Sequence, residues 1–266
     1  MDPVRRSLCV AALAAASWPL VPREGRAADT DGPRIAAASD LGVALAEIAD
    51  AWRRAGGGPL RLSFGSSGTF ATQIRSGAPF ALFLSADESY VRQLQEAGFT
   101  QGGGALYALG RLALVAPAGG ALPLDPDLAG VVTFLRDGRL RRFAIANPAH
   151  APYGRRAEEV LRRAGLWDAI RPHLVYGENV SQAAQFATGG SADGGLVALS
   201  LLQAPALRDR VRFVAIPADR HEPLRQRMVL LRGADAAAVA FYRFLQEPVA
   251  RDVLRAHGFS LPEGAG

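Results

Sequence analysis

The stretch Phe64–Thr69, with the sequence FGSSGT, joins a short apolar strand pattern to the start of a helical pattern. Leu60, Leu62 and Phe64 alternate as in a strand, and two serines flanked by glycines follow them. Glycine lets the backbone approach a ligand closely, and the N–H groups at a helix start have no intrahelical partner. Serine hydroxyls beside such groups form an uncharged cradle for an anion. The stretch therefore predicts oxyanion binding.

Four strand-to-helix junctions share this character. They are Ser39–Asp40, Ser66–Gly68, Tyr153–Gly154 and Asn179–Ser181. In open α/β sheets, ligands bind at the carboxyl ends of strands, so all four junctions are expected to face one cleft. A single junction is better explained by ordinary helix capping than by ligand binding, because Ser and Asn are common N-caps. Two junctions in each of two predicted lobes favour a shared ligand.

Apolar runs of strand length alternate with helical patterns along most of the chain. The predicted strands are 35–38, 60–64, 81–84, 143–146, 174–176 and 195–198. The predicted helices are about 41–54, 69–76, 88–97, 155–164, 181–188 and 235–246. This alternation predicts an α/β fold with parallel sheets.

Two longer extended segments interrupt the alternation. They are Leu106–Ala116 and Val211–Ile216, and a further strand pattern at Arg227–Leu231 follows the second. We interpret them as strands that cross between two lobes. The predicted division is lobe 1, residues 28–117 plus 211–266, and lobe 2, residues 118–210.

The N-terminus has the pattern of a secretory signal. Two arginines precede a mostly apolar run from Leu8 to Leu20, and Gly25–Ala27 is an acceptable cleavage site. We therefore expect residues 1–27 to be removed on export to the periplasm. The single cysteine, Cys9, lies in this segment, so the exported chain would have neither disulfides nor thiolate metal sites.

The charge of the chain is small. Its formal net charge is +5, and residues 1–27 contain four arginines and two acidic residues, so the remainder carries +3. This charge assists the approach of an anion, but it is too weak to predict nucleic-acid binding. A site made only of donors favours a fully deprotonated ion. Molybdate, tungstate and sulfate meet this condition, whereas phosphate near neutral pH keeps a proton that needs an acceptor.

Six motifs, in the same order along the chain, resemble the periplasmic molybdate-binding proteins of ABC transporters. The motifs are Ala36–Leu41 (AAASDL), Phe64–Thr69, Gly77–Phe80 (GAPF), Leu84–Asp87 (LSAD), Ala144–Pro148 (AIANP) and Gly177–Ala183 (GENVSQA). The resemblance implies a two-lobed type II periplasmic-binding-protein fold with two crossover strands and the ligand cleft between the lobes. It also implies a monomeric, non-enzymatic receptor without a cofactor that delivers molybdate or tungstate to a membrane permease.

The resemblance implies a set of ligand-binding residues. Ser39 and Ser67 would supply hydroxyl and backbone donors from lobe 1, and Tyr153 and Val180 would supply backbone donors from lobe 2. Many members have a ligand-reaching tyrosine at the position of Ala198, and the phenol of Tyr153 is the candidate to replace it.

Asp40 is the remaining predicted ligand-binding residue. Its carboxylate would repel a dianion, so we expect its backbone N–H to contact the ligand and its side chain to cap the helix. A carboxylate that points into the site would instead accept a proton from hydrogen phosphate and favour a phosphate receptor.

Two alternatives stay open at this point. The first is a receptor for sulfate or phosphate. The second is a secreted serine hydrolase that uses Ser66 or Ser67, although Thr69 stands where the G-x-S-x-G motif requires glycine. No base adjoins these serines in sequence, and the histidines at 150, 173, 221 and 257 are expected at the surface or in loops, without metal-site spacing.

Overall fold

The structure is a computed structural model that describes residues 32–262. The predicted signal segment, with its cleavage site and Cys9, lies outside the described residues. Between residues 32 and 262, no helix has the length and apolar character needed to cross a membrane.

Ten strands and ten α-helices are present in this range. The strands are β1 Arg34–Ala38, β2 Arg61–Gly65, β3 Leu82–Ser85, β4 Ala105–Gly110, β5 Leu112–Pro117, β6 Phe143–Ala146, β7 Leu174–Gly177, β8 Gly194–Ala198, β9 Val211–Ala215 and β10 Leu224–Leu230. The helices are α1 Gly42–Arg54, α2 Ser67–Arg75, α3 Glu88–Glu96, α4 Ala129–Arg136, α5 Pro152–Arg163, α6 Trp167–Ile170, α7 Val180–Thr188, α8 Leu199–Leu202, α9 Ala236–Phe244 and α10 Pro248–Ala256.

The strands form two mixed sheets. The first has the order β2-β1-β3-β10-β4, and the second has the order β7-β6-β8-β5-β9. In each sheet a central strand pairs in parallel with both neighbours, β1 with β2 and β3, and β6 with β7 and β8. The crossover strands β10 and β5 pair antiparallel with their neighbours.

Helices cover the sheets, and this explains the uninterrupted apolar sequence of β1. Ile35 and Ala37 pack into one buried cluster with α1, whereas Ala36 packs into another cluster with α2 on the opposite face. A parallel strand that is buried on both faces carries apolar residues at successive positions rather than at alternate ones. The second sheet has its own larger core.

The chain crosses between the sheets twice, and this confirms the two-lobed fold class. β4 ends at Gly110 in the first sheet, and β5 begins at Leu112 in the second. The return runs from β9 in the second sheet to β10 in the first. The predicted strand Leu106–Ala116 is therefore two strands that belong to different sheets. The lobe boundaries stay a prediction.

The predicted strands and helices all occur close to their expected positions, but α4, α6, α8 and α10 were not predicted. α4 follows Leu128, which has a left-handed backbone with φ 62° although it is not glycine. Asp125, outside the helix, accepts hydrogen bonds from the N–H groups of Ala129 and Gly130 at 2.8 and 2.7 Å. A cap placed this far upstream is not an ordinary helix-start signal.

Candidate functional site

The four predicted junctions meet around one small cavity with a free volume of about 10 Å³. About this much free volume holds a single water molecule, whereas pockets for organic ligands measure roughly 300–1,000 Å³, so a small inorganic ion is the candidate ligand. All five residues predicted to bind the ligand line it. The complete lining is Ala38, Ser39, Asp40, Gly65, Ser66, Ser67, Ala86, Ala151, Pro152, Tyr153 and Val180.

The surrounding backbone orients the hydroxyls of Ser39 and Ser67 as donors. Ser67 Oγ accepts a hydrogen bond from the N–H of Ala86 at 3.0 Å, and Ser39 Oγ accepts one from the N–H of Ser181 at 3.3 Å. A hydroxyl has one proton to donate, and neither proton has a protein acceptor among the described residues. Both serines are buried, so each O–H is available to a ligand in the cavity.

The second lobe presents backbone N–H groups from two helix starts. Tyr153 is the second residue of α5, which begins with Pro152, and Val180 is the first residue of α7. The first N–H groups of a helix have no intrahelical partner, and the helix macrodipole favours negative charge beside them. Asn179 caps α7 by accepting from the N–H of Gln182 at 3.1 Å, so the cap does not occupy the N–H of Val180.

The side chain of Asp40 does not cap a helix, and in this respect the sequence expectation was wrong. Asp40 Oδ2 accepts hydrogen bonds from the Tyr153 hydroxyl at 3.0 Å and from Gln226 Nε2 at 2.5 Å. The other oxygen, Oδ1, is buried and has no hydrogen-bond partner among the described residues. The phenol and the amide are the side-chain donors within reach of Oδ2, and the main-chain N–H groups of Asp40 and Leu41 also stabilise the ionised carboxylate.

Burial raises the pKa of Asp40 from 3.8 to about 6, because the ionised form loses its hydration. The hydrogen bonds from Gln226 and Tyr153 lower the pKa in part. Burial, and then the nearby Asp40, raises the pKa of Tyr153 well above its ordinary value. The phenol therefore stays protonated and donates its single proton to Asp40. This leaves the backbone N–H as the donor that Tyr153 can offer to a ligand.

Direct hydrogen bonds between the lobes surround the cavity. On one side, the N–H of Gly68 donates to the carbonyl oxygen of His150 at 2.9 Å, and Ser66 Oγ lies 2.9 Å from His150 Nδ1. On the other side, Ser181 Oγ donates to the carbonyl oxygen of Ser39 at 2.8 Å. These contacts hold the two lobes closed over the cavity.

The histidines differ from the sequence expectation in two respects. His150 lies in a loop, as expected, but it pairs with Ser66 across the cleft, and no sequence signal indicated this. His221 and His257 are buried rather than exposed. His257 Nε2 lies 2.8 Å from Glu47 Oε2, and burial lowers the pKa of His221. Neither of these two lines the cavity.

Comparison with known proteins matches the family of bacterial extracellular solute-binding proteins over residues 33–260. The molybdate-binding protein ModA of Azotobacter vinelandii is 36% identical over 231 residues, which cover 86% of this chain and 89% of that protein. The chain belongs to the molybdate-binding protein family. A second relative, ModA of Rhodobacter capsulatus, is 40% identical over 200 residues, or 74% of this chain and 75% of that protein.

A solved structure of the same family agrees with the fold described above. The periplasmic molybdate-binding protein of Azotobacter vinelandii superposes with a TM-score of 0.80 at 31% identity, and covers 87% of this chain and 100% of that one. The likeness extends over both sheets, so the two-lobed architecture expected from the molybdate-binding family is confirmed.

Three contributors to the site were not predicted from the sequence. Gln226 reaches Asp40 from β10, His150 reaches Ser66 from the loop before α5, and the Ser200 hydroxyl donates to the carbonyl oxygen of Asp40 at 2.9 Å. Ser200 lies two residues after Ala198. Each partner is distant in sequence, so no local pattern could indicate the contact.

We expect Asp40→Asn to bind molybdate about tenfold or more tightly above pH 6. The amide keeps an acceptor for Tyr153 and Gln226, but it removes a negative charge beside the dianion. Two charges about 4 Å apart interact by about 4 kcal/mol at an effective dielectric constant near 20. Isothermal titration calorimetry at about pH 5 and pH 8 measures the difference, and equal affinities of both proteins at pH 8 would contradict it.

The same substitution tests the pKa of Asp40 without any ligand. Because the pKa is raised in the folded protein, its contribution to the free energy of unfolding is present below about pH 4 and is lost as the pH rises through about 6. The expected loss is roughly 3 kcal/mol. Urea denaturation between these pH values checks it. The free energy of unfolding of the native protein should fall relative to that of Asp40→Asn as the pH rises. A difference that stays constant with pH would refute the assignment.

We expect Gly68→Ala to weaken molybdate binding by about tenfold or more. A Cβ at this position would lie 2.6 Å from the carbonyl oxygen of His150, so the lobes could not close fully. Gly42→Ala is the matched control, because it is also near a helix start and a Cβ there meets nothing within 4 Å. Calorimetry measures the molybdate affinity of both variants. If Gly68→Ala binds as tightly as Gly42→Ala, position 68 does not limit closure of the lobes.

Proposed function

We propose that this protein is a periplasmic receptor that captures molybdate or tungstate and delivers it to the permease of an ABC importer. The observation that carries the proposal is the convergence of uncharged donors from both lobes on one small cavity. The membership of the molybdate-binding family supports the choice of anion and the permease partner. The secretory pattern of residues 1–27 supports export to the periplasm, and we propose that the receptor acts as a monomer without a cofactor.

The proposed ligand contacts are hydroxyls from one lobe and backbone N–H groups from both. Ser39 and Ser67 offer hydroxyls with free protons, and Tyr153 and Val180 offer N–H groups at helix starts. A hydrogen bond to a charged group contributes about 1.5–3 kcal/mol. Five or six such bonds support micromolar binding or better, about −8 kcal/mol, after the cost of association. Asp40 contributes its backbone N–H and remains the one acidic group in the lining.

Asp40 also keeps sulfate and phosphate in consideration. Its Oδ1 is a buried acceptor without a partner among the described residues, and such an oxygen could accept a proton from hydrogen phosphate. Sulfate has no proton to donate and would resemble molybdate more closely. The family relationship favours molybdate over both of these ions. A comparison of the four ions must therefore distinguish a molybdate receptor from a phosphate or sulfate receptor.

We expect molybdate and tungstate to raise the melting temperature by about 5–10 °C at concentrations near one hundred times the dissociation constant. Ligand binding at this ratio adds about 2.7 kcal/mol of stability, and each kcal/mol shifts the melting temperature of a chain this long by about 2–4 °C. Thermal-shift assays compare the two ions with sulfate and phosphate at equal concentration. Equal stabilisation by all four ions, or by none, would end the proposal.

A secreted serine hydrolase is the weaker candidate, and one contact favours it. Ser66 Oγ lies 2.9 Å from His150 Nδ1, and His150 Nε2 lies 3.6 Å from Glu178 Oε2. However, Ser66 caps α2 by accepting from the N–H of Thr69, and only 5% of the residue is exposed. The carboxylate side chain of Glu178 is 78% exposed, so it orients the histidine weakly. We therefore propose that the pair links the lobes and is not catalytic.

We expect no hydrolysis of p-nitrophenyl acetate above the background rate, and no difference between the native protein and Ser66→Ala. A buried capping serine cannot reach a substrate carbonyl. Absorbance at the nitrophenolate band follows the reaction, with Ser89→Ala as a control at a partly exposed position of α3, outside the cavity lining. A rate that disappears only in Ser66→Ala would restore the hydrolase.

A further inference from the structure

Gln226 is a buried polar residue on the crossover strand β10, with 0% of its surface exposed. The pairing of β10 with β4 shifts register between Gln226 and Arg227, a bulge-like irregularity in which Tyr107 is the extra residue on β4. Bulges redirect a side chain and are common beside functional sites. The hydroxyl of this extra residue contacts Gln226 on the strand that returns the chain from the second sheet to the first.

The hydrogen bonds of Gln226 fix the orientation of its amide. Oε1 accepts from the Tyr107 hydroxyl at 2.7 Å, so Nε2 faces the cavity side. Nε2 donates to Asp40 Oδ2 at 2.5 Å and to the Tyr153 hydroxyl at 3.3 Å. The two protons of Nε2 thus join an acid of one lobe to a phenol of the other.

Gly110 makes room for this network at the other crossover. A Cβ at Gly110 would lie 2.4 Å from the Tyr153 hydroxyl and 2.8 Å from Gln226 Nε2. Any side chain there would displace the phenol or the amide. Both crossover segments therefore contribute to the surroundings of Asp40, one through a side chain and the other through the lack of one.

The groups that face the Asp40 carboxylate are all uncharged donors. Tyr153 approaches from α5, Gln226 from β10 and, behind it, Tyr107 from β4, while Ser200 from α8 binds the main-chain oxygen. The main-chain N–H groups of Asp40 and Leu41 add to these donors. Among residues 32–262, no arginine or histidine forms an ion pair or hydrogen bond with this carboxylate. The amide of Gln226 therefore carries much of the stabilisation of its ionised form.

We propose that Gln226 is a positioning residue that sets the pH range in which the cavity accepts a dianion, by holding Asp40 and Tyr153 in one hydrogen-bonded unit. The inference rests on the proposed function for its ligand. An ionised Asp40 repels the anion, and a protonated one does not. The donor from Gln226 favours the ionised form, so its removal extends the protonated form to higher pH.

The test compares the pH profiles of molybdate affinity for the native protein and Gln226→Leu. Both are expected to bind more tightly at low pH, and in the variant the decline is expected about one pH unit higher. An overall loss of affinity from weaker closure would not move this decline. Gln101→Leu is the matched control, because Gln101 donates to the backbone beyond the end of β10 and lies outside the cavity lining.

A double-mutant cycle separates positioning from a general structural effect. In an Asp40→Asn background the pH dependence should disappear, and Gln226→Leu should no longer shift it. Tyr107→Phe removes the donor that orients the amide of Gln226, so it should shift the decline of molybdate affinity in the same direction but by less. This variant replaces Gln226→Leu in the test if Gln226→Leu does not fold. An equal loss of affinity at every pH, or a shift that persists in Asp40→Asn, would overturn the proposal.

An arm without anion keeps this inference distinct from the proposed function. The pH dependence of unfolding reports the protonation of Asp40 directly, and Gln226→Leu should move the loss of stability to higher pH by the same amount. If no oxyanion binds the native protein but this shift is present, the receptor function fails and the link between Gln226 and Asp40 stands. If the anion binds but Gln226→Leu shifts neither the pH profile of affinity nor that of unfolding, the proposed link between Gln226 and Asp40 is wrong, and the receptor function is unaffected.

Discussion

Unpaired N–H groups at the starts of helices, placed at the carboxyl ends of strands in two facing sheets, are the constraint on which the rest of the structure depends. Each group lacks an intrahelical partner, so it must find water, a side chain or a ligand. The closed cleft removes much of the water, and the cavity at its centre collects donors that the fold itself does not satisfy. Serine hydroxyls extend this set because neighbouring backbone N–H groups occupy their acceptor sites and leave their protons free.

Asp40 stands against this pattern, since it is an acid among donors. Its position is tolerated because Tyr153 and Gln226 donate to one oxygen and because burial favours the neutral form. The two donors come from different lobes, Tyr153 from α5 and Gln226 from β10, so the acid also helps to hold the lobes together. A group that opposes anion binding electrostatically thus takes part in the closure that anion binding requires. This dual role links affinity, protonation and lobe closure at one residue.

Much of the fold could be predicted because its signals are local. Apolar runs such as Phe143–Ala146 and the junctions at Ser67 and Tyr153 are recognised from neighbouring residues, and Ser39 and Val180 lie within family motifs of the same local kind. The contacts across the cleft could not be predicted. Gln226 lies 186 residues from Asp40 in sequence and 119 from Tyr107, and the register shift beside it has no composition signal. α4 was missed for a related reason, since its cap lies upstream of the helix.

The two connections between the sheets differ in length, and this difference restricts how the molecule can open. One residue, Arg111, separates β4 from β5, whereas residues 216–223 separate β9 from β10. A single residue has two soft backbone torsions, which can change an angle but cannot let one sheet slide along the other. Opening must then be a rotation about the Arg111 end, with the longer connection following. Such a rotation first separates the parts of the two lobes that lie farthest from Arg111. An ion would therefore enter and leave on the side of the cleft away from the short connection.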